Sequence, residues 1–115
     1  MNTITKHYLS CLAWTATDEE GESLDHLQFS NEAELKAEKE VNDFVELIQN
    51  EGIEWQNYMD DEQFGHDFAL TRNGHGAGFW DRGLGELGTV LSDWARTYGS
   101  TDVYLNKDTM ELEIA

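Results

Sequence analysis

Two stripes of apolar residues run through the first half of the chain at spacings of three and four, the period of an amphipathic helix. The first stripe comprises Ile4, Tyr8, Cys11, Leu12 and Thr15. The second comprises Val41, Phe44, Val45 and Ile48, with the capping-box pair Asn31 and Glu34 before it and Gly52 after it. The pattern predicts two helices, separated by a polar loop over residues 17–27.

The second half of the chain changes to short apolar runs around turn residues. Residues 68–72 and 78–81 flank Asn-Gly-His-Gly at 73–76, and Asn-Gly is a strong signal for a hairpin turn. Two registers are open, with the turn at 73–74 or over all of 73–76. A third helical stripe follows over residues 84–98, and residues 103–105 and 110–114 have the pattern of a second hairpin.

The predicted order is therefore α-α-β-β-α-β-β, an α+β fold with a small antiparallel sheet covered by helices. A length of 115 residues predicts a single domain over 1–115, with an acidic helical and loop part at 1–62 and a hairpin–helix–hairpin part at 65–115. Apolar residues make up 39% of the chain, enough for one core. We expect Cys11, Trp94 and Tyr98 to belong to that core.

Net charge restricts the possible functions of the protein more than composition does. The formal net charge is −17, from 24 Asp and Glu against 7 Lys and Arg, and residues 17–62 contribute −14 of it. Proteins bind phosphate backbones and anionic lipid through clustered Lys and Arg, so this charge argues against direct nucleic-acid binding and against a membrane-surface role. No apolar run is long enough to span a bilayer, and we expect a cytoplasmic protein.

Residues 65–83 concentrate chemically versatile side chains on a glycine-rich frame. A hairpin would gather some of them at its open end and others near its tip. His beside Asp is suited to acid–base chemistry or to binding a divalent ion. The alternative polar site comprises His66, Asp67, Arg72, Asn73, His75, Trp80, Asp81 and Arg82.

The spacing within this segment does not specify a known chemistry. His66 and His75 match no helix-borne zinc pattern, and the glycines do not open a helix after a parallel strand, as a dinucleotide fingerprint requires. We therefore predict no catalytic residue, no metal and no cofactor. The structural interpretation is that Asp67 and Asp81 pair with arginines and that Trp80 fills the core.

The same segment resembles a family of small bacteriophage proteins of mostly unassigned function. The likeness lies in Ala-Leu-Thr-Arg-Asn-Gly-His-Gly-Ala-Gly-Phe-Trp-Asp-Arg-Gly at 69–83, in Leu-Gly-Glu-Leu-Gly at 84–88, and in Trp-Thr-Ala-Thr-Asp-Glu-Glu-Gly-Glu at 14–22. The resemblance implies a phage origin and a setting in the cytoplasm of an infected bacterium. It implies no particular activity.

Small acidic phage proteins often resemble DNA electrostatically, and carboxylates on rigid elements can replace phosphates opposite a partner's Lys and Arg. We therefore predict inhibition of a host protein that has a basic nucleic-acid-binding surface. Self-repulsion favours this hypothesis over a merely solubilising surface. The predicted contact residues are Asp18, Glu19, Glu20, Glu22, Glu32, Glu38, Glu40, Asp43, Glu46, Asp60, Asp61 and Glu62.

Two other functions compete with inhibition. The first is a small enzyme or a ligand- or metal-binding module centred on residues 66–82, which accounts better for the nearly neutral second half. The second is an accessory role in the virion or in its assembly. Residues 63–99 carry a net charge of only −1, so the acidic middle and the glycine-rich segment favour different hypotheses.

Overall fold

Four helices precede one antiparallel hairpin in the computed structural model, which describes residues 1–115. The helices are α1 (Thr3–Thr15), α2 (Asn31–Asn50), α3 (Asp61–Arg72) and α4 (Glu86–Arg96), and the strands are β1 (Val103–Asn106) and β2 (Glu111–Ile114). Short 3₁₀ turns occupy Trp55–Asn57 and Phe79–Asp81. The α+β class and the terminal hairpin are confirmed, while the order becomes α-α-α-α-β-β.

The first two helices form where the apolar stripes predict them, and each begins at a polar cap. The side chain of Asn2 accepts a hydrogen bond from the backbone N–H of Thr5 at 2.8 Å, which satisfies a free donor of α1. Ser30 caps α2 in the same way, accepting from Ala33 N–H at 3.1 Å, so the predicted cap at Asn31 is wrong by one residue. The buried residues of α2 keep the helical period: Ala33, Ala37, Val41, Phe44 and Ile48.

The hairpin predicted over residues 68–81 is wrong, because residues 61–72 form α3. The carboxylate of Asp60 caps this helix by accepting from Gln63 N–H at 2.8 Å. Asn-Gly ends α3 instead of turning a hairpin. Gly74 has a φ of 70°, its N–H donates to the carbonyl of Thr71, and the next N–H, of His75, donates to that of Leu70. These two bonds define a Schellman motif.

The two-stranded sheet pairs Val103 with Ile114 and Leu105 with Leu112. An irregular segment covers its β2 side, since Leu112 N–H donates to the carbonyl of Gln28 at 2.8 Å and its own carbonyl accepts from Ser30 N–H at 3.0 Å. The hairpin is thereby attached to the start of α2. Its β1 side has no such neighbour.

An aromatic cluster forms the centre of the core between α1, α2 and α3. The rings of Phe44 and Phe68 stack with centroids 4.1 Å apart, and those of Trp55 and Phe64 stack at 3.9 Å. All four side chains are buried. Stacking of this kind adds to the hydrophobic gain from burial.

Core membership differs from the sequence expectation at one aromatic. Trp80 does not fill the core, because it is 47% exposed and its neighbour Phe79 is buried instead. The single turn of 3₁₀ helix at Phe79–Asp81 directs only one of the two rings inward. Cys11 is fully buried, and burial raises the pKa of its thiol to about 11. Trp94 and Tyr98 are half-buried against the core.

Candidate functional site

Arg72, one of the candidate polar-site residues, lies inside the protein and connects four parts of the fold. Its guanidinium donates to the hydroxyl of Tyr8 and the carbonyl of Gly99, both at 2.9 Å, and to the carbonyl of Tyr98 at 3.1 Å. It also donates to the carboxylate of Glu40 on α2, and its side chain is 4% exposed. Arg72 is therefore a structural group, inaccessible to a ligand.

Asp67 and Arg82 form the second structural pair of the segment. The guanidinium contacts both carboxylate oxygens of Asp67, at 2.9 to 3.2 Å, and the Asp67 side chain is completely buried. Two-point contact of this kind is the strong geometry for an arginine–carboxylate pair. The pairing anchors the loop after α3 to the helix and confirms that interpretation for Asp67, whereas Asp81 is exposed and pairs with no arginine at ion-pair distance.

The other members of the candidate polar site do not converge on one point. The side chain of Asn73 accepts from Thr101 N–H at 2.7 Å, so it ties the end of α3 to the chain before β1. His66 faces His7 of α1, with ring centroids 6.4 Å apart, while His75 is exposed in the loop. No group of three or more His, Cys, Asp or Glu is arranged to hold a metal ion. The open-end cluster expected from a hairpin is therefore not formed.

We call Arg72 and the groups that accept its hydrogen bonds the Arg72 network. Tyr8, a member of this network, makes the stability of the protein depend on pH in the alkaline range. Burial raises the pKa of the Tyr8 phenol to about 12, against 10 in the unfolded chain, and the Arg72 charge only partly opposes this. A raised pKa contributes stability that is complete below pH 10 and is lost as pH rises through 12. We predict that Tyr8 contributes a loss of about 2 to 3 kcal/mol to the free energy of unfolding across that range, measured as the difference between the wild type and Tyr8→Phe in urea titrations.

Two variants isolate the contribution of Tyr8. Tyr8→Phe cannot ionise at this position, so its stability falls less steeply with pH than that of the wild type. Tyr104→Phe is the matched control, because that side chain is 51% exposed, and its pH profile follows the wild type. Burial raises the pKa of Cys11, and partial burial with a hydrogen bond to Asp43 raises the pKa of Tyr98, so a residual slope remains in both variants. Equal slopes in Tyr8→Phe and the wild type contradict the assignment.

The predicted acidic contact residues divide by exposure. Those exposed to solvent are Glu19, Glu20, Glu22, Glu32, Asp43, Glu46, Asp60, Asp61 and Glu62, whereas Asp18, Glu38 and Glu40 are half-buried.

Four of these acids accept hydrogen bonds from groups inside the protein. Glu40 accepts from Arg72, and Asp43 accepts from the Tyr98 hydroxyl at 2.6 Å. Asp60 caps α3, and Asp18 accepts from two backbone N–H groups of its own loop. These four carboxylates stabilise the fold. The side chains of the remaining acids accept no hydrogen bond within the protein, and Glu62 lies 4.0 Å from the imidazole of His7.

Lysines interrupt the acidic side of α2. Lys36 and Lys39 lie within one turn of Glu32 and Asp43 on the solvent side of the helix. The amine of Lys36 donates to the carbonyl of Ala115 at 2.7 Å, which ties the end of the chain to α2. The solvent side of α2 therefore carries both signs of charge. The segments with the highest density of negative charge precede and follow this helix in the sequence.

Two segments are acidic and contain no Lys or Arg. We call residues 18–25 the acidic loop and residues 51–62 the acidic corner; each holds five carboxylates. The loop follows the carboxyl end of α1, while residues 60–62 of the corner line a cleft with Thr3 and His7 at the other end of that helix. Thirteen residues of helix separate the two ends by roughly 20 Å. The acidic residues thus form two patches, not one face.

Comparison with protein-family models, with curated proteins and with solved structures finds no match to this chain. Within its own fold, no helix is long and apolar enough to cross a membrane.

The bonds that hold the Arg72 network together were missed by sequence reasoning. Arg72 is 64 positions from Tyr8 and 32 from Glu40, and no local pattern connects residues so far apart. The sequence gives a partial indication that Glu40 is paired. It lies next to Val41 on the edge of the buried face of α2, where a carboxylate is usually paired.

Proposed function

We propose that this chain is a small acidic bacteriophage protein that acts by protein–protein interaction. It binds a host nucleic-acid-handling or defence protein and inhibits that protein by covering its basic, DNA-binding surface with carboxylates. The proposal places it in the cytoplasm of the infected cell, with no direct contact to nucleic acid. It rests on the charge of the folded surface and on the sequence resemblance.

One observation carries the proposal: the negative charge is almost entirely unpaired in the folded protein. Of 24 Asp and Glu residues, only Glu40, Asp67 and Asp93 lie within ion-pair distance of an arginine. No lysine forms an ion pair with a carboxylate side chain. The unpaired carboxylates repel one another, and a partner rich in Lys and Arg relieves that repulsion.

The acidic loop and the acidic corner are the proposed contact patches. The two acidic patches lie roughly 20 Å apart. A basic groove that holds nucleic acid presents positive charge over a similar length, so both patches can engage it together. Long-range attraction speeds association, and screening by salt weakens it, because the Debye length falls to about 8 Å at physiological ionic strength.

The proposal is tested by capture followed by displacement with DNA. The immobilised protein is incubated with nuclease-treated bacterial lysate at low salt, and bound protein is challenged with duplex DNA at constant ionic strength. We expect the captured protein to bind duplex DNA itself and to be displaced by it. We also expect capture to fall steeply between roughly 50 and 200 mM salt.

Charge-reversal variants locate the contact. One variant changes Glu19, Glu20 and Glu22 to Lys, and a second changes Glu51, Asp61 and Glu62 to Lys. Each is expected to weaken capture at least about tenfold, since three attractive contacts become repulsive. Glu40 and Asp43 are left unchanged because their internal bonds stabilise the fold.

The control matches the change in net charge. Asp81, Asp93 and Asp108 are exposed acids outside both patches, and changing all three to Lys shifts the charge by the same amount. This control is expected to keep most of the capture. Equal losses in all three variants would mean that only the overall charge matters, and a captured protein that DNA does not displace would refute the proposed inhibition.

A further inference from the structure

The sheet has one covered edge and one open edge. Leu112 of β2 exchanges both of its backbone hydrogen bonds with residues 28 and 30, so this pair of groups points away from β1. Leu112 lies opposite Leu105. In an antiparallel ladder such a pair is the non-hydrogen-bonded one, and the N–H and C=O of Leu105 therefore also point outward.

The same alternation between ladder bonds and outward-pointing backbone groups continues along all of β1. Ala115 N–H donates to the carbonyl of Asp102 at 2.9 Å, which places the ladder bonds at positions 102, 104 and 106. Val103 and Leu105 then present two N–H and two C=O groups to the outside. No turn, loop or side chain bonds to these four groups.

A groove runs beside this open edge. Two clefts, of about 430 and 310 Å³, share Thr17 and Val103 among their lining residues and so form one continuous depression. One wall consists of residues 100–105 with Lys107, and the other wall consists of residues 15–20. The buried side chain of Leu24 lines the same depression.

The wall opposite β1 is negatively charged. It carries Asp18, Glu19 and Glu20, and Lys107 is the one Lys or Arg of the whole lining. A second copy of the chain, itself at −17, is repelled from this groove. Charge complementarity selects a strand that carries Lys or Arg.

We propose that the groove binds an extended basic segment of the partner protein, which adds to β1 as a further strand. Backbone bonds to Val103 and Leu105 supply affinity. Alternate side chains of the added strand point to opposite faces, so basic ones reach the carboxylates of Glu19 and Glu20 while apolar ones cover Leu24. This inference rests on the proposed function, because the acidic wall belongs to the acidic loop.

The test uses a synthetic peptide of alternating Lys and Val as the probe and amide hydrogen exchange as the measurement. On saturation with this peptide, exchange of the Val103 and Leu105 amides slows at least about tenfold. The Tyr104 amide already bonds within the ladder, so its exchange changes little. Leu105→Pro removes an outward N–H without removing a ladder bond, and it weakens binding at least about tenfold.

A modified peptide keeps the test independent of whether the proline variant folds. N-methylation of every Lys and Val preserves the peptide's charge and removes the N–H donors of both edges, so this peptide binds the wild type at least about tenfold more weakly. Equal binding of both peptides, or binding that leaves the Val103 and Leu105 amides unprotected, would overturn strand addition. The DNA-displacement assay reports on the proposed function alone, so the two failures are distinguishable.

Discussion

Replacing Arg72 by methionine is expected to lower the free energy of unfolding by about 3 to 5 kcal/mol. The substitution keeps an apolar stem but leaves the Glu40 carboxylate and the Tyr8 hydroxyl without their buried donor. It also frees the carbonyls of Tyr98 and Gly99, which hold the end of α4 against α3. Urea unfolding followed by circular dichroism measures the loss.

Two companion variants separate the network from general effects of losing an arginine. Arg96→Met removes an exposed side chain that pairs with Asp93 at 3.7 Å, and it is expected to cost less than about 1 kcal/mol. In the double variant Arg72→Met with Glu40→Met, the loss is smaller than the sum of the two single losses, because no unpaired charge remains. Similar losses for Arg72→Met and Arg96→Met would contradict the structural role of Arg72.

Gly65→Ala is expected to destabilise the protein by about 1 to 3 kcal/mol or more. Helix propensity alone predicts the opposite sign, since alanine in a helix interior is favoured over glycine by roughly 1 kcal/mol. An alanine Cβ at position 65 would lie 2.3 Å from the carbonyl oxygen of Ile4 and 3.0 Å from the backbone nitrogen of Tyr8. Helices α1 and α3 pack together more extensively than any other pair, so the clash would separate them.

The matched control is Gly76→Ala, in the loop after α3. A Cβ at position 76 meets no atom within 4 Å, so stability is expected to stay within about 0.5 kcal/mol of the wild type. Thermal unfolding of the two variants provides the comparison. A stabilised Gly65→Ala protein would contradict the close approach of α1 and α3 at this glycine.

The glycine-rich segment shows how a correct local signal led to a wrong element. Asn73-Gly74 favours a positive φ, and Gly74 has one, but a helix terminus uses that conformation as readily as a hairpin turn does. Choosing between them requires the residues before the turn. Phe64 and Phe68 follow a helical spacing after the Asp60 cap, and both are buried. The segment before the turn therefore had a helical pattern that the hairpin signal outweighed.

The acidic residues show a similar division. Glu40 and Asp43 look like surface charges in the sequence, because α2 carries acids on most of its polar side. In the structure each is bonded to a group from another element, Arg72 in one case and Tyr98 in the other. Net charge therefore did not distinguish acids that stabilise the fold from acids that have no internal bond.

By itself the sequence determined the properties that depend on neighbours in the chain. These are the helical faces of α1, α2 and α4, the terminal hairpin, the α+β class and the concentration of charge in residues 17–62. Hydrophobic periodicity and charge depend only on the order of residues along the chain, so the sequence is sufficient to recognise them. Only the tertiary structure decided that buried Arg72 pairs with Glu40 and that buried Asp67 pairs with Arg82. It also decided that Trp80 faces solvent and that the outer edge of β1 is open. Each of these depends on contacts between distant residues, whose partners no local pattern specifies.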